Sequence, residues 1–230
     1  MKQVYPAIVL YVIAGIVFFF SSVAGNEYLV FLSKPIIPSA MLFHYWSESK
    51  GKVNPWFVLV ILVFFASGIL NLFEDNQVLV YILIVNCIGY VVLLSHVIRN
   101  LIEIKIRFLD RVNLAYIFLM VLFLSCLMYV LLFLVFDTSY ELYFYMIVYG
   151  VILCSLVILN SILYNIKHSK TDLFLMLTSF CYLMSDLFYV IYYYYFDFTF
   201  FRYLTIGGNI ISYYFLVKFF LTANKNASPN

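Results

Sequence analysis

The chain has 230 residues, 66% of them hydrophobic and 10% charged, with a mean hydropathy of +1.05 and a formal net charge of +2. A soluble domain carries about 25% charged residues, so a water-exposed globule is excluded. The alternating segments of roughly ten residues that lipid-facing barrel strands need are absent as well, which leaves an all-α, polytopic membrane protein.

Apolar windows of about 20 residues between polar clusters predict eight transmembrane helices, at 5–24, 28–45, 55–73, 77–98, 113–136, 140–164, 171–194 and 201–222. Together they form a single eight-helix domain over 1–222, followed by a disordered cytoplasmic tail at 223–230. The first span has a basic start and a Ser22-x-Ala24 ending, so a cleavable signal is an alternative reading of it. The second carries Lys34 between Ser33 and Pro35, with Pro38 one turn on, and these prolines loosen the helix at membrane depth. The third carries Asn71 in its last outer turn, with Glu74 and Asp75 just beyond the span.

His96 lies near the inner end of the fourth span and reads as an interfacial residue. The stretch 99–111, RNLIEIKIRFLDR, mixes Ile and Leu with both charges and reads as lying on the inner leaflet. The seventh span holds Ser185 and Asp186 among tyrosines, and the eighth holds Asn209 after Gly207 and Gly208. The Tyr and Phe residues near span ends read as the aromatic belt of a membrane protein.

Charge sets the expected orientation. With the N-terminus in the cytoplasm, ten Lys and Arg residues from Lys2 to Lys225 fall on the inner side and Arg202 alone on the outer. That asymmetry predicts both termini inside, in a bacterial inner membrane. The small net charge fits contact with anionic lipid and gives no reason to expect nucleic acid.

Cys87, Cys126, Cys154 and Cys181 all fall within predicted spans, none in a CxxC pair or beside a histidine at ligand spacing, and read as buried, inert thiols. No phosphate-binding loop, dinucleotide fingerprint, serine-elbow, zinc or calcium motif occurs, so neither a metal nor a cofactor is implied. Chemistry then rests on polar residues inside spans. At 1.5 Å per helical residue, Lys34, Asn71, Asp186 and Asn209 all lie within roughly 12 Å of the outer interface, which predicts one shared cavity opening outward.

Each has a structural reading too. Lys34 can snorkel, Asn71 can cap a helix end, and Asn209 can bond a neighbouring helix. Asp186 is the hardest to explain so, because a carboxylate at that depth is costly and needs a partner. Tyr182, Tyr189 and Tyr193 share its helical face. Its surroundings decide whether it is a proton donor or one half of an ion pair with Lys34.

The short loops and eight spans, the Lys34-Pro35 pair in "KPIIP", the small-residue stretch "FASGILN", His96 in "LLSHVI", the Ser185-Asp186 pair in "YLMSDLFYVI" and the tyrosine-rich "NIISYYFLV" resemble the YhhN family of membrane proteins. Its characterised animal members are lysoplasmalogenases. The resemblance covers nearly the whole chain and implies hydrolysis of the vinyl ether bond of a lysoplasmalogen. Asp186 is then the acid, with Lys34, Ser185, Tyr182, Tyr189 and Asn209 around a lysolipid-like substrate. The family's third span carries a Gly-Asp pair, where this chain has Leu70-Asn71, and its glutamine in the last span has no counterpart here. Asn71 therefore stands at the place of the second carboxylate, and Asp75 (with Glu74) follows one turn outward as a substitute. The alternative is a protein that binds or transports a lipid or small molecule, with Asp186 and Lys34 as a gated pair and no hydrolysis.

Overall fold

A computed structural model describes residues 6–49, 52–73, 76–103, 111–136 and 142–226. Among these the chain is helical throughout, with no strand. In chain order the helices are α1 (Pro6–Val23), α2 (Glu27–Ser33), α3 (Ile36–Glu48), α4 (Pro55–Leu70), α5 (Asn76–Glu103), α6 (Arg111–Phe136), α7 (Tyr143–Lys167), α8 (Lys170–Tyr194) and α9 (Thr199–Asn226). Six of them, α1 and α5 to α9, are long and apolar enough to cross a membrane by length and composition. In hydrocarbon a helix satisfies every backbone N–H and C=O within its own segment, which is why such runs adopt no other structure.

The predicted second span is two short helices. Pro35 supplies no N–H, and the chain turns through Lys34 and Pro35, leaving α2 with 7 residues and α3 with 13. The predicted third span is α4, whose 16 residues stop at Leu70. Asn54 caps its start, its Oδ1 accepting the Trp56 N–H at 2.9 Å, with Pro55 at the first helical position. Between α7 and α8 the connection is only His168 and Ser169. His168 closes α7 in the left-handed region (φ 48°), and the Ser169 hydroxyl accepts the Asp172 N–H at 3.0 Å to begin α8.

Two boundaries moved. Helix α5 runs on to Glu103 and takes in the start of the segment read as interfacial, whose remainder at 104–110 lies outside the described residues. Helix α9 runs to Asn226, into the segment read as a disordered tail. The reason is a polar clamp: Asn224 Nδ2 donates to Tyr45 Oη at 2.7 Å and to the Lys52 carbonyl at 2.9 Å, and the Asn54 N–H donates to the same phenol at 2.9 Å. Tyr45 is fully buried, its ring 3.9 Å from that of Phe57, which in turn packs on Phe220 at 5.0 Å. Tyr45→Phe leaves two donors without their acceptor and is expected to cost about 1–3 kcal/mol, read as a lower melting temperature in detergent.

The core forms where α1, α3, α4, α5, α7, α8 and α9 meet, and α8 and α9 make its most extensive contact. Gly208 permits that approach, because a Cβ there would sit 3.2 Å from the Cys181 carbonyl and 3.3 Å from Ser185 Cβ. Helix α6 packs on α7 and α8 and is otherwise peripheral, with Leu119, Phe123, Tyr129 and Phe133 exposed. Cys126 lies on that exposed face and Cys154 is buried, so the thiols are not uniformly interior.

Candidate functional site

Inside the helices is a cavity of about 950 Å³, walled by residues of α1 to α5 and α7 to α9. Its lining includes Tyr28, Phe73 and Tyr193, all exposed, so it reaches the molecular surface at the end of the bundle where α2 begins and α8 ends. From there it extends inward to Asp186 of α8.

Asp186 is held by two phenols. Tyr149 of α7 donates to its Oδ2 at 2.5 Å and Tyr90 of α5 to the same oxygen at 3.2 Å, while the two phenol oxygens are 3.3 Å apart. Oδ1 accepts no hydrogen bond among the described residues. Behind the acid the rings of Tyr90, Tyr182 and Phe64 form a packed cluster, with centroids 5.3 Å (Tyr90–Tyr182), 4.9 Å (Phe64–Tyr182) and 5.5 Å (Phe64–Tyr90) apart. Tyr90 and Tyr182 are almost fully buried, which fixes the direction in which their hydroxyls point. A carboxyl group among apolar helices thus gains hydrogen bonds from phenols on two other helices.

The polar residues singled out in the sequence converge on this cavity. Lys34, Asn71, Tyr182, Ser185, Asp186, Tyr189 and Asn209 all line it. Their situations differ. Lys34 closes α2, with its ammonium 5.9 Å from the Phe18 ring centroid. Asn71 closes α4 through its backbone N–H, which bonds to the Ser67 carbonyl, while its side chain is on the wall. Ser185 is buried and donates to the Thr205 carbonyl at 2.8 Å, so its hydroxyl ties α8 to α9. Tyr189 packs against Tyr193 with tilted rings 4.4 Å apart, and Asn209 is an exposed part of the wall. Asp75 and Glu74 lie outside the described residues. His96 is not on the cavity wall, and its ring packs against Phe219 at 5.4 Å.

Sequence reasoning missed Tyr90 and Tyr149, because the belt reading of the tyrosines near span ends gave no reason to single out others. Their position was the available signal. Tyr90 stands at the middle of α5, and Tyr149 lies almost two turns inside α7, whereas belt tyrosines sit at the ends. Asn86 of α5 and Arg202 of α9 also line the cavity, the latter being the one basic residue assigned to the outer side. Of the two alternatives left open for Asp186, its partners among the described residues are Tyr149 and Tyr90 and not Lys34.

Among the described residues no three His, Cys, Asp or Glu side chains gather in a way that could hold a metal ion. The arrangement instead offers an acid with one oxygen anchored, in a cavity with cationic residues on its wall. No family model, curated protein or solved structure matches the chain.

Proposed function

We propose that this is an eight-span inner-membrane protein of the YhhN kind, with both termini cytoplasmic, whose cavity takes a lysoplasmalogen-like lysolipid and hydrolyses its vinyl ether bond. In this reading α2 with α3, and α4, complete the eight crossings, and the cavity opens on the outer side. The bias of basic residues to one set of connections supports the orientation. The observation that carries the activity is Asp186, anchored through Oδ2 by Tyr149 and Tyr90 at the inner reach of a cavity of about 950 Å³.

The reaction balances with one acid and one water. Asp186 gives its proton from Oδ1 to the vinyl carbon distant from the ether oxygen, leaving an oxocarbenium ion and a carboxylate. Water adds to the carbon bearing the ether oxygen, and its proton returns to Asp186. The hemiacetal then collapses to a fatty aldehyde and the glycerol hydroxyl of the headgroup. The two phenols stabilise the carboxylate as the proton leaves, an interaction stronger in the transition state than in the ground state. Lys34 and Arg202 hold the lipid phosphate.

Asn71 favours a second reading, a lipid-binding protein on the same scaffold without hydrolysis, because an amide neither ionises nor activates water. Aldehyde release from a lysoplasmalogen by the purified protein in detergent, beside Asn71→Asp, separates the two. Release by the parent carries the hydrolase reading. A silent parent with an active Asn71→Asp makes the chain a family scaffold without its second carboxylate. Silence in both moves the reading to binding or transport. In an active parent, Tyr149→Phe removes the 2.5 Å bond and is expected to slow release about tenfold, with KM unchanged.

A further inference from the structure

A second, smaller void of about 50 Å³ adjoins the cavity between α6, α7 and α8. The two share Tyr149, Asp186, Met146 and Val190, so these four side chains form the partition between them. Their chemistry differs sharply. The large cavity has Lys34, Asn71, Asn86, Arg202 and Asn209 on its wall. The small one is walled by aliphatic side chains such as Leu131 of α6, Leu153 of α7 and Leu187 of α8, and among the described residues Tyr149, Asp186 and Cys154 join its wall while the surface facing the void stays apolar. Gly150 permits the close packing on this side, since a Cβ there would collide with Met128 of α6. Only α6 separates the void from the outer surface of the bundle, and α6 is otherwise exposed and apolar.

We infer that this void is an alkyl slot: the chain of a single-chain amphiphile whose headgroup occupies the polar cavity passes Asp186 and leaves toward the bilayer between α6 and the α7–α8 pair. The polar-to-apolar change falls at Asp186, where the bond joining head and chain of such a molecule would lie. Lipid tails are as apolar as leucine, so a chain gains little affinity by moving from bilayer to slot. The slot therefore acts by position, holding the bond next to the chain against the acid. The inference rests on reading the large cavity as an amphiphile site but not on hydrolysis.

The test uses two photoreactive, non-hydrolysable ether lysophosphatidylcholines, one with a diazirine a few carbons down the chain and one with it on the headgroup. Each is irradiated with the full-length protein in nanodiscs, and adducts are located by mass spectrometry. Leu153 and Leu183 decide the result, because they line the slot and are only 3% and 6% exposed, out of reach of probe dissolved in bulk lipid. The chain probe is expected to label them, and excess unlabelled lysolipid to suppress that labelling.

Leu131→Trp and, on the opposite wall, Leu187→Trp fill the slot and should cut the labelling about tenfold, equivalent to the cost of overpacking. The headgroup probe should continue to label the large cavity in both variants, which shows that they are folded. Chain labelling unchanged in both variants, or located on α1 and α3, overturns the slot. No competable labelling by either probe overturns the slot and the amphiphile reading together. Slot labelling without aldehyde release from a lysoplasmalogen sinks the hydrolase reading alone.

Discussion

Asp186→Asn is expected to release aldehyde from a lysoplasmalogen about 10²–10⁴-fold more slowly than the parent, the range that a positioned general acid contributes. The substitution keeps the shape of the side chain and an oxygen on which Tyr149 and Tyr90 can donate, but removes the proton to be transferred. Because both phenols keep an acceptor, the melting temperature should stay within a few degrees of the parent, so lost activity reports chemistry and not folding. Substrate binding, measured with an ether lysolipid that is not cleaved, should be nearly unchanged. A variant as active as the parent would remove Asp186 from the reaction. Loss of both binding and melting cooperativity would make it a structural carboxylate.

The largest effect on stability is expected at Gly208→Leu. The α8–α9 contact is the most extensive in the molecule, and the added side chain would begin 3.2 Å from the Cys181 carbonyl oxygen. That neighbour is backbone and cannot swing aside, so the helices must separate. Separation also breaks the 2.8 Å bond from Ser185 to the Thr205 carbonyl. Overpacking of this kind costs about 1–3 kcal/mol, with the lost hydrogen bond adding to it. Gly207→Leu is the control, because nothing lies within 4 Å of a Cβ at that position. Melting in detergent should fall for the first variant and stay near the parent for the second. Equal behaviour of the two would mean that the close approach of α8 and α9 contributes nothing.

The sequence by itself determined that this chain is helical, where most of its long helices run, and which carboxylate needs an explanation. These follow from local rules. An apolar run in hydrocarbon must bond its own backbone, proline interrupts that bonding wherever it falls, and an acid among apolar residues stands out without knowledge of its neighbours. Fixed rise per residue placed Lys34, Asn71, Asp186 and Asn209 at similar heights along their helices, and all four line one cavity. Tertiary structure alone decided what lies across from them. Helices that are apolar on every side, such as α4 and α6, carry no stripe that marks an inward face. Position sets Tyr90 and Tyr149 apart from belt residues, but only the packing of α5 and α7 beside α8 turns both hydroxyls onto one carboxylate oxygen. The same holds at the other end of the bundle, where Asn224 extends α9 only because Tyr45 and Lys52 stand opposite it. Partners of a buried polar group come from distant parts of the chain, and packing, not spacing, chooses them.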